Sequence, residues 1–260
     1  MPLAYRTWGL RENPPLVLVH GFLGDSNDWT QLANCLEKDA YIIAVDLPGH
    51  GKSAELKPDI NKPWRFFSEQ LNQVLQQLNI EQYTLLGYSL GGRLSIAHTF
   101  HDPRPVKQLI IESAHPGLQS AQQKQGRLIH DTQWAERFRH EPLGNVLEDW
   151  YQQPVFRPLS TPQRISMINA RLGQSGETLA QIMGTFSLAR QEDYNQRFCT
   201  LTVPVHFICG EHDQKFKTIG QHLTLSDDLA DLHVIPAAGH NCHREKPDQT
   251  ATVIKQLLRS

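Results

Sequence analysis

Three residues in glycine-containing loops have the chemistry needed for acid–base or nucleophilic catalysis. Ser89 is the central residue of a G-x-S-x-G pattern over residues 87–91, Asp213 follows closely after a glycine, and His240 directly follows one. A serine hydroxyl is a weak nucleophile or base until a histidine removes its proton, and a carboxylate must orient that histidine. The three residues therefore predict a triad of Ser89, His240 and Asp213.

Each member of this triad has a structural alternative. The G-x-S-x-G pattern alone is a weak signal, because a glycine-rich turn can carry a bystander serine. Glu211 and His212 stand beside Asp213 and compete for the acid and base roles, and in a chain with 13 histidines a single histidine is more often structural. The order serine, acid, histidine along the chain favours the triad.

The elements that must position these residues are short apolar runs that alternate with helical patterns. Runs of this kind are typical of strands buried on both faces of a sheet, and they occupy residues 16–20, 41–46, 83–86, 109–111, 205–209 and 233–235. Residues 4–8 are expected to add a short edge strand, and stretches 66–78 and 250–258 have helical spacing. The alternation predicts an α/β fold with a mostly parallel sheet and helices on both faces. Each triad residue follows one of the runs, so all three should leave the same edge of the sheet.

The interval between Ile111 and Val205 interrupts this alternation. It has no convincing strand, it is rich in glutamine, arginine and aromatic residues, and its prolines divide it into short helices. An insertion that follows the carboxyl end of a strand lies over the edge where α/β sheets bind ligands. We therefore expect a single domain over residues 1–260 with a helical cap over about 116–200.

Two backbone N–H groups near Ser89 are candidates for an oxyanion hole. One belongs to Leu90, the residue after the serine, and the other to Phe22, in the glycine-containing loop after the first central strand. The alternative is an ordinary turn between strand and helix, which the same glycines would also serve.

Two other patterns are weaker candidates for function. Gly51-Lys52-Ser53 resembles the end of a phosphate-binding loop, but Asp46 stands where that loop needs its first glycine. His240 and His243 could form half of a zinc site, but no carboxylate or cysteine completes it at a suitable spacing. We expect no cofactor and no metal ion.

Composition excludes several classes of partner. With 25 Lys+Arg against 27 Asp+Glu the net charge is −2, which gives no electrostatic case for nucleic acid or an anionic membrane. The chain has no apolar run long enough for a membrane span and no signal-peptide pattern. Its four cysteines are scattered, which favours free thiols and a cytoplasmic location.

The motifs together resemble the α/β-hydrolase superfamily over the whole chain. The residues that carry this resemblance are HGF at 20–22, DLPGHGKS at 46–53, the nucleophile elbow GYSLG at 87–91 (a tight turn between strand and helix), GExD at 210–213 and GH at 239–240. A narrower resemblance, to the 2-succinyl-6-hydroxy-2,4-cyclohexadiene-1-carboxylate synthases of menaquinone biosynthesis, rests on GYSLGGR at 87–93, ESAHPGL at 112–118, DWYQQPVF at 149–156, GExDxKF at 210–216 and GHNxHxE at 239–245. Some of these segments lie in the predicted cap, and such segments are specific because caps vary freely among hydrolases.

The narrower resemblance implies a lyase. It implies elimination of pyruvate from 2-succinyl-5-enolpyruvyl-6-hydroxy-3-cyclohexene-1-carboxylate, a small molecule with three carboxylates, with the triad acting as a general base. A carboxylesterase or carbon–carbon hydrolase acting on an acidic substrate is the alternative enzyme, and a ligand-binding protein that retains a hydrolase scaffold is a third possibility.

The resemblance also implies which residues contact the substrate. Arginine suits carboxylates because its planar fork binds two oxygens at once. Arg93 lies one helical turn after Ser89, and Arg127 and Arg171 match the cap arginines of the family. Tyr88 and Trp150 are expected to wall the pocket. For each arginine, the alternative is a solvated surface position or a salt bridge between cap and core. For Tyr88 and Trp150, the alternative is packing in the core.

Overall fold

The computed structural model describes residues 2–101, 106–226 and 230–259. Its seven strands are β1 (Tyr5–Trp8), β2 (Pro15–Val19), β3 (Tyr41–Val45), β4 (Tyr83–Tyr88), β5 (Val106–Glu112), β6 (Val205–Gly210) and β7 (Ala230–Ile235). They form one sheet in the order β1-β3-β2-β4-β5-β6-β7. Strand β1 is antiparallel to β3, and the other neighbouring strands are parallel. The predicted α/β fold with a mostly parallel sheet is confirmed.

Strands β5 and β7 are longer than the apolar runs that predicted them. Strand β5 begins at Val106 and includes exposed Lys107, and β7 begins at Ala230 and includes exposed Asp231. A search for continuous apolar runs stops at such residues, because it cannot distinguish a polar side chain on a strand from the end of the strand.

Ten helices surround the sheet in the described part of the chain. They are α1 (Thr30–Leu36), α2 (Pro63–Gln77), α3 (Leu90–His101), α4 (Ala121–His140), α5 (Leu143–Trp150), α6 (Thr161–Asn169), α7 (Gly176–Thr185), α8 (Gln214–Ser226), α9 (Cys242–Glu245) and α10 (Pro247–Leu257). Among these helices none is long and apolar enough to cross a membrane.

Side chains of alternate strand residues pack into two separate cores. On β3, Ile43 joins the core that includes residues of α2, α3 and α8, whereas Ile42 joins the core that includes residues of α1 and α10. Successive side chains of a strand point to opposite faces, so helices cover both faces of the sheet and the central strands carry apolar side chains on both faces. This layering leaves the carboxyl ends of β4, β6 and β7 at one edge.

The segment between β5 and β6, here called the cap, has a core of its own. Its apolar residues Phe138, Val146, Leu147 and Leu179 form a cluster that also includes Leu23 from the loop after β2. Helices α4 and α6 each begin with a capping box, in which a serine and a glutamine three residues later exchange hydrogen bonds with the backbone. The cap therefore contacts the core of the protein at the loop that carries Phe22.

Candidate active site

Ser89 lies in a sharp turn between β4 and α3. Its φ of 51° is in the left-handed region, which few residues other than glycine adopt without strain. Its backbone N–H donates to the carbonyl oxygen of Glu112 at 2.9 Å, which links the turn to the end of β5. Residues in such strained positions cluster at active sites, so the backbone agrees with the predicted elbow.

Glycines are required around Ser89 because β4 and α3 approach closely. A Cβ at Gly87 would lie 2.4 Å from the hydroxyl oxygen of Ser95, and a Cβ at Gly91 would lie 2.1 Å from the carbonyl oxygen of Val19. Neither separation is possible between nonbonded atoms. The two outer glycines of the G-x-S-x-G pattern therefore let the strand, the turn and the helix pack together.

Asp213 and His240 are joined by a short hydrogen bond between the loops after β6 and β7. His240 Nδ1 lies 2.6 Å from Asp213 Oδ2, and both residues are buried. The two competitors are exposed: Glu211 accepts a hydrogen bond from the N–H of Ala237, and His212 lies beside it. Of the three candidates in this loop, Asp213 is therefore the one that is both buried and hydrogen-bonded to His240.

The third contact of a triad, between the Ser89 hydroxyl and His240, does not occur among the hydrogen bonds of the described residues. The His240 ring packs against three aromatic rings, with centroid distances of 4.9 Å to Phe216, 5.3 Å to Tyr88 and 6.0 Å to Phe156. Catalytic hydrogen bonds are often long before substrate binds and shorten in the substrate complex. Phe216 also lines the pocket above Ser89, so a substrate in that pocket would contact the ring that packs against His240.

Two buried histidines hold the loop that carries Phe22. His20 Nε2 accepts from the Leu47 N–H at 2.9 Å, and His50 Nε2 accepts from the Leu23 N–H at 3.2 Å. The other nitrogen of each ring therefore carries the proton, and it lies 2.7 Å from the Gly21 carbonyl in His20 and 3.0 Å from the Pro48 carbonyl in His50. Both rings are neutral in this arrangement, in which each accepts at one nitrogen and donates at the other.

Two observations bear on the predicted oxyanion hole of Phe22 and Leu90. Leu90 is the first residue of α3, so its N–H has no acceptor within the helix. Phe22 and Leu90 line the same pocket as Ser89. Their N–H groups are thus candidates to hold an anionic oxygen beside the serine.

The two loop histidines make stability depend on pH. Burial lowers the pKa of His20, and burial with the neighbouring His20 lowers the pKa of His50 to about 3. An ordinary histidine has a pKa of about 6.5. Between pH 6.5 and about pH 3 the unfolded chain therefore binds protons at these positions that the folded chain excludes. The stability that the two neutral histidines contribute is fully present above about pH 6.5 and is lost as the pH falls through this range.

We therefore expect His50→Gln to weaken the acid sensitivity of the fold. Each histidine held neutral contributes a slope of up to about 1.4 kcal/mol per pH unit to the free energy of unfolding. Urea unfolding at pH 7, 6 and 5 would show a shallower loss for His50→Gln than for the wild type. His140→Gln, at an exposed cap histidine, is the control and should keep the wild-type slope. Equal slopes in all three proteins would contradict the assignment.

The pocket above Ser89 has a cationic lining. Three cationic side chains line it, those of Arg93, Arg127 and Lys215, against one carboxylate, that of Asp131. A concave site with an excess of one charge concentrates ligands of the opposite charge. The pocket is therefore suited to an anionic ligand.

Arg93 is held in the pocket by neutral groups, a backbone carbonyl and a glutamine side-chain amide. It is half-buried, and it takes part in none of the ion pairs formed by the described residues. Its guanidinium donates to the carbonyl of Phe186 at 2.9 Å and to Gln191 Oε1 at 3.3 Å, and it lies 5.7 Å from the Trp64 ring. Burial and the nearby charge of Arg127 lower the pKa of Arg93 to about 9, so it remains charged at neutral pH.

Arg127 is held in the pocket by a buried carboxylate. Its Nε donates to Asp131 Oδ1 at 2.7 Å, one turn along α4, and Asp131 Oδ2 accepts from the Ser187 hydroxyl at 2.7 Å. Burial alone would raise the pKa of Asp131, but hydrogen bonds from His130 and Ser187 and the charge of Arg127 lower it. Asp131 therefore stays ionised and fixes the direction of the arginine.

His115 adds a neutral donor to the same pocket. Its Nδ1 accepts from the Gly117 N–H at 3.0 Å, so the neutral ring carries its proton on Nε2. Burial, with the charges of Lys215, Arg93 and Arg127, lowers the pKa of His115 to about 4. The ring stays neutral at pH 7 and can donate one hydrogen bond to an anion.

Both the sequence and the fold of this chain match those of known proteins. A sequence profile described as the alpha/beta hydrolase fold matches residues 14–247. The 2-succinyl-6-hydroxy-2,4-cyclohexadiene-1-carboxylate synthase of Klebsiella pneumoniae subsp. pneumoniae is 41% identical over 247 residues, covering 95% of this chain and 94% of that protein. The synthase of the same name from Serratia proteamaculans is 41% identical over 252 residues, covering 96% and 95%.

This chain belongs to the 2-succinyl-6-hydroxy-2,4-cyclohexadiene-1-carboxylate synthase family. The structure titled MenH from S. aureus superposes with a TM-score of 0.91 and 25% identity, covering 100% of this chain and 98% of that one. A thermophilic esterase from Thermogutta terrifontis superposes with a TM-score of 0.81 at 23% identity, covering 99% and 93%, and shares the fold. The resemblance to the synthase family noted in the sequence is confirmed.

The structure does not bring all of the predicted site residues to one pocket. Its described lining includes Phe22, Ser89, Leu90, Arg93, Arg127 and Trp150, but not Tyr88, Arg171, Asp213 or His240. Tyr88 is buried under the loop after β2, where a Cβ at Gly21 would lie 2.8 Å from its ring. Its ring packs against those of His240 and His243, with centroid distances of 5.3 Å and 5.0 Å.

Arg171 forms the alternative contact considered for it, a salt bridge between cap and core. It is 3% exposed and pairs with Asp28, which Arg244 also contacts at 2.7 Å. Burial would raise the pKa of Asp28, but the charges of Arg171 and Arg244 hold it below its usual value. Asp28 is far away in sequence, so no local pattern revealed this pair.

We expect Arg171→Met to reduce stability more than catalysis. Removing one partner of a buried ion pair leaves the other charge poorly compensated. Because Arg244 still contacts Asp28, the free energy of unfolding should fall by only about 2 kcal/mol. Urea unfolding would measure this loss, and kcat/KM measured on the folded variant should stay within about threefold of wild type. A fall in kcat/KM as large as that caused by Arg93→Ala would instead make Arg171 a substrate contact.

The two weaker candidates of the sequence have other partners in the structure. Lys52 N–H donates to Asp46 Oδ2 at 2.8 Å, so a carboxylate lies where a phosphate-binding loop would hold its anion. His243 Nδ1 lies 2.9 Å from both carboxylate oxygens of Glu112, and both residues are buried. Glu112 therefore connects His243 to the strand end that accepts the Ser89 N–H.

Sequence reasoning missed three ionisable residues of the pocket: His115, Asp131 and Lys215. His115 and Lys215 stand inside motifs that carried the resemblance to the synthase family. Asp131 lies four residues after Arg127 in a predicted helical region, a spacing that pairs side chains along a helix. The motifs could therefore have identified His115 and Lys215, and the four-residue spacing could have identified Asp131.

Proposed function

We propose that this chain eliminates pyruvate from 2-succinyl-5-enolpyruvyl-6-hydroxy-3-cyclohexene-1-carboxylate to give 2-succinyl-6-hydroxy-2,4-cyclohexadiene-1-carboxylate. Family membership supports the choice of reaction. The observation that carries the proposal for this chain is the excess of cationic side chains in the pocket directly above Ser89. A substrate with three carboxylates matches that lining, whereas a neutral ester would leave the charge of Arg93 uncompensated.

The reaction begins with removal of a proton from the ring carbon that bears the succinyl group. His240, oriented by Asp213 through the 2.6 Å hydrogen bond, takes the proton of the Ser89 hydroxyl as that oxygen takes the proton of the substrate. The electron pair of the broken C–H bond moves onto the succinyl carbonyl to form an enolate. It then returns through the ring alkene, forms the second ring double bond and expels the enolpyruvyl oxygen. The leaving enolate takes up a proton and becomes pyruvate.

The N–H groups of Phe22 and Leu90 stabilise the enolate oxygen. Charge develops on the carbonyl oxygen only as the proton leaves, so donors aimed at that oxygen bind the transition state more strongly than the substrate. In ester hydrolysis the same donors would hold a tetrahedral intermediate. One arrangement can therefore serve either chemistry, and the choice depends on which substrate the pocket accepts.

The carboxylates of the substrate are assigned to the cationic side of the pocket. Arg93 offers an unpaired guanidinium, Arg127 a guanidinium fixed by Asp131, and Lys215 an exposed ammonium on α8. The Nε2–H of His115 adds a neutral donor. Trp150 packs 5.3 Å from Phe22 and forms an apolar wall beside the oxyanion loop. The fixed cations orient the ring so that its acidic proton faces Ser89.

Beyond the reaction, we propose a cytoplasmic enzyme whose partner is this small molecule. Free thiols at Cys35, Cys199, Cys209 and Cys242 suit a reducing compartment. The helical cap, which the sequence predicts over about residues 116–200, would shield the enolate from water.

An absorbance assay tests the proposed function. The purified chain is mixed with the enolpyruvyl substrate, the conjugated diene is followed in the ultraviolet, and pyruvate is measured in the same sample with lactate dehydrogenase. We expect diene and pyruvate in equal amounts, and no comparable turnover of p-nitrophenyl acetate or p-nitrophenyl succinate. Robust ester hydrolysis without diene formation would replace the lyase by a carboxylesterase, and tight binding without turnover of either substrate class would favour a binding protein.

A further inference from the structure

Three side chains that commonly bind metals lie together on β6 and β7. His206 is the second residue of β6 and is paired in register with Asp231 of β7, and His233 follows two residues later on the same face of β7. One ligand atom from each residue lies within 4.8 Å of those of the other two. Because strand side chains alternate between faces, all three lie on the face opposite to Phe207.

Three of the four ring nitrogens in this cluster have no hydrogen-bond partner among the described residues. His206 is 6% exposed, yet neither of its ring nitrogens has a partner among the described residues, and Nε2 of His233 also has none. Buried polar groups in native proteins are nearly always paired, so an unpaired buried imidazole requires an explanation. A bound cation would use these free nitrogen lone pairs.

The spacing of the cluster is close to that of a zinc site. Zinc binds histidine nitrogen and carboxylate oxygen at about 2.0–2.2 Å, so two ligands of a tetrahedral ion lie about 3.4 Å apart. His206 Nδ1 and Asp231 Oδ2 are 3.6 Å apart, and the ring centroids of His206 and His233 are 5.7 Å apart. The side chain of Asp231 is 70% exposed and can rotate toward the ion, and water can reach the fourth position.

We propose that His206, Asp231 and His233 bind one zinc ion that joins the edge strand β7 to β6. Two imidazoles and one carboxylate suit zinc, whereas magnesium and calcium prefer sets of oxygen ligands. His206 precedes the carboxyl end of β6 by four residues, about 13 Å along the strand, so the site is separate from the catalytic loops. It departs from the expectation, drawn from the sequence, that the chain binds no metal. The ion would fix the strand whose carboxyl end leads to His240.

Titration calorimetry with zinc chloride on the untagged full chain tests this site. We expect one zinc ion per chain in the wild type. Asp231→Asn and His233→Asn should each weaken the affinity by more than about 100-fold, because even changes to residues that only support metal ligands cost 10- to 100-fold. Asp231 is exposed and His233 is half-buried, so both variants should fold even if His206→Asn does not. His140→Asn is the matched control, since His140 is exposed and contacts Glu136 without a second histidine nearby in sequence.

Thermal unfolding supplies a second readout that does not depend on activity. A ligand that binds only the folded state raises Tm, and zinc at about 100 times its Kd should raise that of the wild type and of His140→Asn by roughly 5–10 °C. The same zinc concentration should leave the Tm of Asp231→Asn close to its value without zinc. The proposal is overturned if the wild type binds no zinc, or if Asp231→Asn and His233→Asn bind it with the affinity of the wild type.

Discussion

Replacing Ser89 by alanine should lower kcat for pyruvate elimination by about 10³-fold, the contribution typical of a positioned general base. The fold should persist, because the Ser89 hydroxyl makes no hydrogen bond among the described residues and its removal leaves the backbone N–H contact to Glu112 in place. Steady-state kinetics on the enolpyruvyl substrate would measure the loss, and urea unfolding would show a free energy within about 1 kcal/mol of wild type.

Ser95→Ala is the matched control for this variant. Ser95 lies on the same helix α3, it is fully buried, and its hydroxyl also has no partner among the described residues. Its kcat should therefore remain close to the wild-type value. If Ser89→Ala kept activity within about tenfold of the wild type, Ser89 would not be the base.

Replacing Arg93 by alanine should lower kcat/KM by about 100-fold. Truncating one partner of a buried, hydrogen-bonded charge pair costs about 2–5 kcal/mol, and 100-fold corresponds to about 2.7 kcal/mol. A carboxylate is present in both the substrate and the transition state, so most of the loss should appear in KM. Arg93→Lys should recover only part of the loss, because an ammonium keeps the charge without the planar fork.

Arg65→Ala is the control for the arginine series. Arg65 is 72% exposed and pairs with Glu69 one turn along α2, so its removal should leave kcat/KM unchanged. An unchanged kcat/KM in Arg93→Ala would show that Arg93 does not hold a substrate carboxylate. A fall in Tm without a kinetic change would assign Arg93 to the contact between α3 and the cap through Phe186.

The sheet, the elbow and the paired Asp213 and His240 could be predicted because their signals are local. Apolar runs mark the central strands, and glycines mark the points where strand and helix approach too closely for a side chain. The strand ends were less predictable, because polar residues such as Lys107 and Asp231 belong to β5 and β7. The alternation on β4 could have placed Tyr88 correctly, since it shares a face with Leu86 and both join the core beneath α1 and α10.

The ion pair between Arg171 and Asp28 was beyond the reach of sequence reasoning for a physical reason. The synthase resemblance matched Arg171 to a substrate-binding position of the family. Its partner in the structure, Asp28, is 143 residues away in the sequence. Whether an arginine faces substrate or a carboxylate depends on which distant groups the fold brings beside it. Arg93 remained a strong candidate because α3 fixes its position relative to Ser89.

The distinction between a serine base and a serine nucleophile is the central claim about this active site. It is tested most directly by the single-turnover rate of diene formation from substrate that carries deuterium on the ring carbon bearing the succinyl group. Proton removal by Ser89 predicts a slower rate for the deuterated substrate, with no covalent adduct on the enzyme. Equal rates for the two substrates, together with a covalent adduct on Ser89 in the intact mass, would contradict it.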